Sequence, residues 1–184
     1  MTPGRPEAGR RFPGRPEAGR RFPGRPEAGR KFPAVAFSCA MTTAPEATDY
    51  PVLWPVPTRW ADNDHYGHVN NVAYYSFFDT AVNGWLMSAT GTDIRELDAV
   101  GVVAETSCRF LAQLSFPDEL RVGIAVEKLG TSSIVYSLAV FRVHQDELVA
   151  AATGRFVHVY VDSATRRPVP IPPSIRAVVE PLTA

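Results

Sequence analysis

Residues Arg59–Asp79 read RWADNDHYGHVNNVAYYSFFD. Two aspartates, Asp62 and Asp64, stand at the end of a predicted strand, followed by Gly67, His68 and an Asn70-Asn71 pair. An asparagine side chain accepts a hydrogen bond from the first amides of a helix, so Asn70 or Asn71 is the natural cap. The spacing predicts a helix over Val72–Ala89, with Gly91 as its stop. Val72, Ala73, Tyr74, Tyr75, Phe77, Phe78, Val82, Trp85, Leu86 and Met87 cover nearly every face of it. A helix apolar all round is expected to be wrapped by the rest of the protein.

The chain on either side of this segment reads as extended. Asp49–Pro57 is broken by prolines and reads as a lead-in, with Thr58–Ala61 as the end of a first strand. Four strand-like runs follow the helix: Val102–Leu111, Glu119–Leu129, Ile134–Val143 and Leu148–Val161. Pro117-Asp118, Gly130–Ser133 and Gln145-Asp146 supply the turns between them. Alternation places Val102, Ala104, Thr106, Cys108 and Phe110 on one face of the second strand. It likewise puts Phe156, His158 and Tyr160 on one face of the last. A proline-rich tail runs from Pro168 to Pro181. One strand, one helix and four antiparallel strands predict an α+β fold, a sheet curled around a central helix.

The zero net charge is a cancellation. Residues 1–40 hold nine basic and three acidic side chains, whereas residues 41–184 hold ten and sixteen. The basic part is three copies of PGRPEAGRRF, from Pro3, Pro13 and Pro23, with Lys31 replacing one arginine in the third. Each copy has one large apolar residue, too little surface to offset chain entropy, so a disordered tail is expected ahead of a domain over residues 41–184. A tail of this charge suits nucleic acid or an anionic membrane, but it lacks further interleaved aromatics, and neither partner is expected. The 144 residues of the second part suffice for one stable core without metal or disulfide. Two cysteines, Cys39 and Cys108, are too few for a disulfide framework and point to a reducing compartment, the cytoplasm. No apolar run reaches the length of a membrane span. His65, His68, His144 and His158 lack ligand spacing, so no metal or other cofactor is expected.

The chemistry gathers around the opening segment. Helix-start amides point outward and carry partial positive charge, so the amides from Gly67 through Val69 and Asn70 to Asn71 are candidates to receive a carbonyl oxygen. A carboxylate beside them can attack that carbonyl or activate water. Asp62, just before a turn, is expected to bond its own backbone. Asn70 and Asn71 serve as caps or fix a water. Tyr74 offers a ring for the core and a hydroxyl that needs a partner when buried. Asp79 is a charge in an otherwise apolar helix, which favours a site or interface partner.

The element order and D-x-D-x-x-G-H-V-N-N-x-x-Y at Asp62–Tyr74 resemble the hotdog-fold acyl thioesterases. The likeness is greatest to the 4-hydroxybenzoyl-CoA thioesterase group, and the D-x-D…H-V-N-N core is shared with plant acyl-ACP thioesterases. It covers about Val56–Val161. It implies a five-stranded antiparallel sheet around a long helix, a homodimer or homotetramer with sites at the subunit interface, and an acyl-CoA or acyl-ACP substrate. By the resemblance Asp64 acts on the thioester as nucleophile or general base. His68 corresponds to a histidine that polarises the carbonyl or orients water, or it caps the helix. Many relatives carry Glu where this chain has Asp79. The Gly130–Ser133 turn is similar to the family's turn near the pantetheine arm, which makes Ser132 and Ser133 substrate-binding candidates; it is equally a plain β-turn. Arg142, Arg155, Arg166 and Arg167 are candidates for coenzyme A phosphates. The rival readings are a hydratase on the same fold, disfavoured by the motif, and a non-catalytic acyl-CoA-binding module.

Overall fold

The computed structural model describes residues 44–145 and 147–183. The basic repeat, Cys39 and the expected boundary at Met41 lie outside the described residues, as does Asp146 of the expected turn.

Five strands form one antiparallel sheet: β1 (Val52–Pro57), β2 (Ala99–Phe110), β3 (Glu119–Leu129), β4 (Ser133–His144) and β5 (Glu147–Asp162). Their order is β1-β3-β4-β5-β2, so β1 and β2 are the edges. Helix α1 spans Asn71–Thr90 and a short α2 spans Pro173–Val179. Alternate residues of the central strands point at α1. Leu120, Val122 and Ile124 of β3, Ile134, Tyr136 and Leu138 of β4, and Phe156 and Tyr160 of β5 are buried with Tyr74, Phe77, Phe78, Val82 and Leu86 of the helix. Each large apolar side chain so buried contributes about 1.5–3 kcal/mol. Gly154 lets the helix come close: a Cβ there would stand 2.4 Å from Phe78. This is the five-stranded sheet and central helix of the hotdog fold.

Four local expectations are corrected. The first strand is the proline-broken Val52–Pro57, not Thr58–Ala61. Proline is tolerated because β1 is an edge, and the chain turns at Trp60–Asp62 because the Asp62 carboxylate accepts the Arg59 amide at 2.6 Å. Helix α1 is not covered on every side of this chain: Val72, Ser76, Asp79, Thr80 and Met87 are exposed. Strand β2 carries a bulge, its register to β5 shifting between Val103 and Glu105. Val103, Thr106, Cys108 and Phe110 therefore share the inner face opposite His158, Phe156, Gly154 and Ala152, whereas Val102 faces outward. The proline-rich tail forms α2, with Pro173 at the first helical position, where its missing amide costs nothing. Ile171, Ile175, Val179 and Leu182 recur at helical spacing and are buried.

Outside the sheet, Tyr50 covers Gly123, where a Cβ would lie 2.5 Å from the ring, and meets Phe141 edge-on at 5.7 Å. Among the described residues no helix is long and apolar enough to cross a membrane.

Candidate active site

The link between β1 and α1 folds back on itself. Asn63 and Val69 form an isolated antiparallel bridge, and inside it the Asp64 amide donates to the His68 carbonyl at 2.8 Å. Gly67 closes the loop at φ 85°, a conformation that costs a side-chain-bearing residue about 1–2 kcal/mol, and its amide donates to the Asp64 carbonyl at 3.1 Å. The loop is docked on the β2–β3 connection. The Val69 amide donates to the Leu114 carbonyl at 2.8 Å, and Asn63 Oδ1 accepts the Phe116 amide at 3.1 Å.

This scaffold fixes Asp64. Its Oδ1 accepts the Tyr66 amide at 2.8 Å and the His68 amide at 3.4 Å. Its Oδ2 has no hydrogen-bond partner among the described residues, and the side chain is half-buried. One oxygen is therefore held and the other left available. Asp62 is occupied differently: buried, it accepts the Arg59 amide and guanidinium, the latter at 2.7 Å, and its carbonyl takes the Asn70 amide. It is a structural aspartate.

The amides considered for the carbonyl oxygen are largely spoken for. Gly67 donates to Asp64, Val69 to Leu114 and Asn70 to Asp62, while His68 reaches only the Asp64 carboxylate at 3.4 Å. Asn70 is the N-cap, its Oδ1 accepting the Val72 amide at 3.0 Å. The Asn71 amide, the first of α1, has no partner among the described residues, so it is the strongest donor left at the positive end of a 20-residue helix. The sequence could not single out Asn71, because the competing acceptors Asp62 and Leu114 are set by tertiary folding.

The other candidates lie as follows. His68 is half-buried beside Asp64. Val69 and Tyr74 point into the core, where the Tyr74 ring meets Phe110 edge-on at 5.0 Å. Burial pushes the Tyr74 hydroxyl up to about 12. Asp79 lies eight positions along α1 from Asn71, about 12 Å by helical rise, and accepts the Asn83 side chain at 3.0 Å. Ser132 and Ser133 are at the far end of β3, some ten residues and about 33 Å along the strand from the Asp64 loop. Within one chain they do not meet Asp64. The arginines do not converge either: Arg155 is bound to Glu105 at 2.8 Å and Glu127 at 3.3 Å on the outer sheet face, whereas Arg166 and Arg167 sit on an exposed turn. No group of three or more His, Cys, Asp or Glu among the described residues is arranged to hold a metal.

The same fold recurs in solved structures. The PA5185 protein from Pseudomonas aeruginosa strain PAO1 is 44% identical over 76% of this chain and 96% of its own, with a TM-score of 0.72. The PA2801 protein from Pseudomonas aeruginosa is 30% identical over 69% and 96%, with a TM-score of 0.63. A thioesterase from Thermus thermophilus, complexed with coenzyme A and Zn, is 29% identical over 71% and 98%, with a TM-score of 0.59. No curated protein matches. The family profile of the thioesterase-like superfamily matches residues 58–179, from just before the Asp64 loop to the end of α2. The chain belongs to the thioesterase-like superfamily and is a thioester hydrolase on the hotdog fold.

Proposed function

We propose that the protein hydrolyses acyl-CoA to a free carboxylic acid and coenzyme A, with Asp64 as the reacting carboxylate and the Asn71 amide as oxyanion donor. The observation that carries this reading is the division of labour on Asp64, in the loop that leads into α1: Oδ1 is tied to the Tyr66 and His68 amides, and Oδ2 has no partner among the described residues. The coenzyme A in the Thermus thermophilus thioesterase supports the choice of carrier.

Two routes use the same atoms. As general base, Oδ2 takes a proton from water while the water oxygen bonds to the thioester carbon. The C–S bond then breaks, and the proton passes to the departing thiolate. As nucleophile, Oδ2 bonds to the carbon itself, the thiolate leaves, and water cleaves the resulting mixed anhydride. In both, charge develops on the carbonyl oxygen, and the Asn71 amide meets it at the helix end. A donor of this kind is worth about 2.7–4 kcal/mol. His68 holds a water or polarises the carbonyl, and Gly67 and Asn70 shape the cradle.

The working unit we infer is a homodimer. Strand β2 is a twelve-residue edge whose side chains are nearly all exposed, and Val72, Asp79 and Met87 of α1 are open beside it. An uncovered edge of this length is a template for a second strand. A second copy is also the route by which the Ser132–Ser133 turn and Asp79 would approach Asp64. Light scattering should give twice the chain mass.

Thiol release tests the activity. Short, long and aryl acyl-CoA thioesters are assayed in parallel with the matching acyl-ACPs. Release from CoA thioesters in preference to ACP thioesters is expected; release from ACP thioesters alone would change the carrier, and no release from any would overturn the reading.

A further inference from the structure

Strands β4 and β5 carry two buried polar atoms with unmet hydrogen bonding near the far half of α1, on His158 and Tyr136, with Tyr160 beside them. His158 is 2% exposed, and its Nε2 has no partner. Tyr136, whose hydroxyl is likewise unpartnered, meets the His158 ring edge-on at 5.3 Å. Tyr160 is 3% exposed, and the hydroxyl end of its ring lies against Gly101. Buried polar groups left in this way are costly unless something else satisfies them.

Tyr136 and His158 Nε2 are sealed inside the core, but the Gly101 side of His158 and Tyr160 is not. His158 and Tyr160 stand on the wall of a cavity of about 360 Å³, whose other walls are largely apolar, including Leu86, Met87 and Ile175, with Asn83 at one side and Arg95, paired to Asp93, at another. Gly101 of β2 makes the opening. A Cβ there would come slightly tight, at 3.3 Å, on the Tyr160 ring and into ordinary contact, at 3.5 Å, with His158 Nδ1, so a side chain would stand directly in front of both groups. Apolar walls with a few convergent polar groups are the makeup of a small-molecule site.

The cavity also lies on a line from the reacting centre. Asn83 is twelve residues beyond Asn71 on α1, about 18 Å along the axis. Between them the inner-face residues Val103, Thr106 and Phe110 of β2 are exposed, an open surface along which a chain can lie. We propose that this cavity receives the distal end of a long acyl chain and selects chains bearing a hydroxyl or keto oxygen there, which His158 and Tyr160 bind. This rests on the proposed acyl-CoA hydrolysis for its substrate, though the cavity itself does not depend on it.

The ligand is uncharged at that end. Burial lowers the His158 ring to about 4, so it is neutral at pH 7, with one nitrogen to donate and one to accept; the Arg95 guanidinium is already taken by Asp93, so a carboxylate would find no free cation on the wall. A bare hydrocarbon end would fill the volume but offer no hydrogen bond to His158 Nδ1 or the Tyr160 hydroxyl on the Gly101 side.

Two measurements on the full chain separate this from the hydrolase reading. The first compares kcat/KM for ω-hydroxypalmitoyl-CoA with palmitoyl-CoA in wild type, His158→Phe and Tyr160→Phe. The second measures binding of free ω-hydroxypalmitic and palmitic acids, which requires no turnover. Wild type should favour the hydroxylated ligand on the order of tenfold in both. Each variant should bring the ratio close to one; a folding defect alone would lower both ligands together and leave the ratio unchanged. Hydrolysis of both thioesters at equal kcat/KM with equal binding overturns the proposal and leaves the hydrolase intact. A binding preference without hydrolysis supports the cavity while removing the activity. A preference that survives both substitutions also overturns it.

Discussion

Asp64 and His68 hold each other through two contacts, the Asp64 amide donating to the His68 carbonyl at 2.8 Å and the His68 amide approaching Asp64 Oδ1 at 3.4 Å. The carboxylate proposed to react is thus positioned by backbone rather than by another side chain. This makes the loop's conformation, more than the identity of its neighbours, the variable to which activity should respond.

Gly67 sets that conformation. Its φ of 85° disfavours any other residue, although a Cβ would meet nothing within 4 Å. Gly67→Ala should cost about 1–2 kcal/mol through backbone strain alone. Because the strain falls on the Asp64 loop, kcat should fall more than the loss in urea midpoint implies; an unchanged kcat would show that the loop's shape does not matter.

Asn70 caps α1 through the Val72 amide. Asn70→Ala should cost about 1 kcal/mol of stability, whereas Asn70→Asp should restore it. Thermal melts of the two variants check this, and equal losses in both would remove the cap as the cause.

Gly154 passes under Phe78, where a Cβ would sit 2.4 Å from the ring. Gly154→Ala should lower stability by about 1–3 kcal/mol through overpacking. The double variant with Phe78→Leu should recover part of that loss in denaturant titrations.

His158 gives the fold a pH dependence. Its ring titrates at about 4 when folded against 6.5 as the reference, because burial disfavours the charged form. The unfolded chain then binds the extra proton first, so this contribution to stability is complete above pH 6.5 and lost as pH falls from 6.5 towards 4. The loss is on the order of 3 kcal/mol. His158→Phe should flatten the urea midpoint between about pH 7 and pH 5; an unaltered slope would place the dependence elsewhere.

Much of the architecture is legible in the residues. Asn70 as cap and Gly91 as stop bracket the expected Val72–Ala89 within one residue of the observed Asn71–Thr90, and the expected Glu119–Leu129 coincides with β3. These succeed because apolar periodicity and turn residues are local signals. The failures are tertiary. Pro51, Pro55 and Pro57 suggest no strand, yet an edge strand accepts them once β3 supplies the pairing. The β2 bulge is invisible without β5 opposite it. Around α2, the spacing of Ile171, Ile175 and Val179 is helical, but the prolines around it obscure the pattern. At the site, the D-x-D…H-V-N-N segment is recognisable as a unit, whereas the separate fates of Asp62 and Asp64 follow only from their bonding partners. The exposed strip on α1 reflects a face that apolar composition alone could not distinguish from the buried one.

The most direct test replaces Asp64 with Asn, which keeps the side chain's shape and its acceptor oxygen for the Tyr66 amide while removing the charge. Steady-state thiol release from the best acyl-CoA substrate is followed alongside thermal melting and chain mass in solution. The expected result is a fall in kcat of about 10²–10⁴-fold or more, with melting temperature and assembly close to wild type. Near-normal turnover by a folded Asp64→Asn protein would contradict the account.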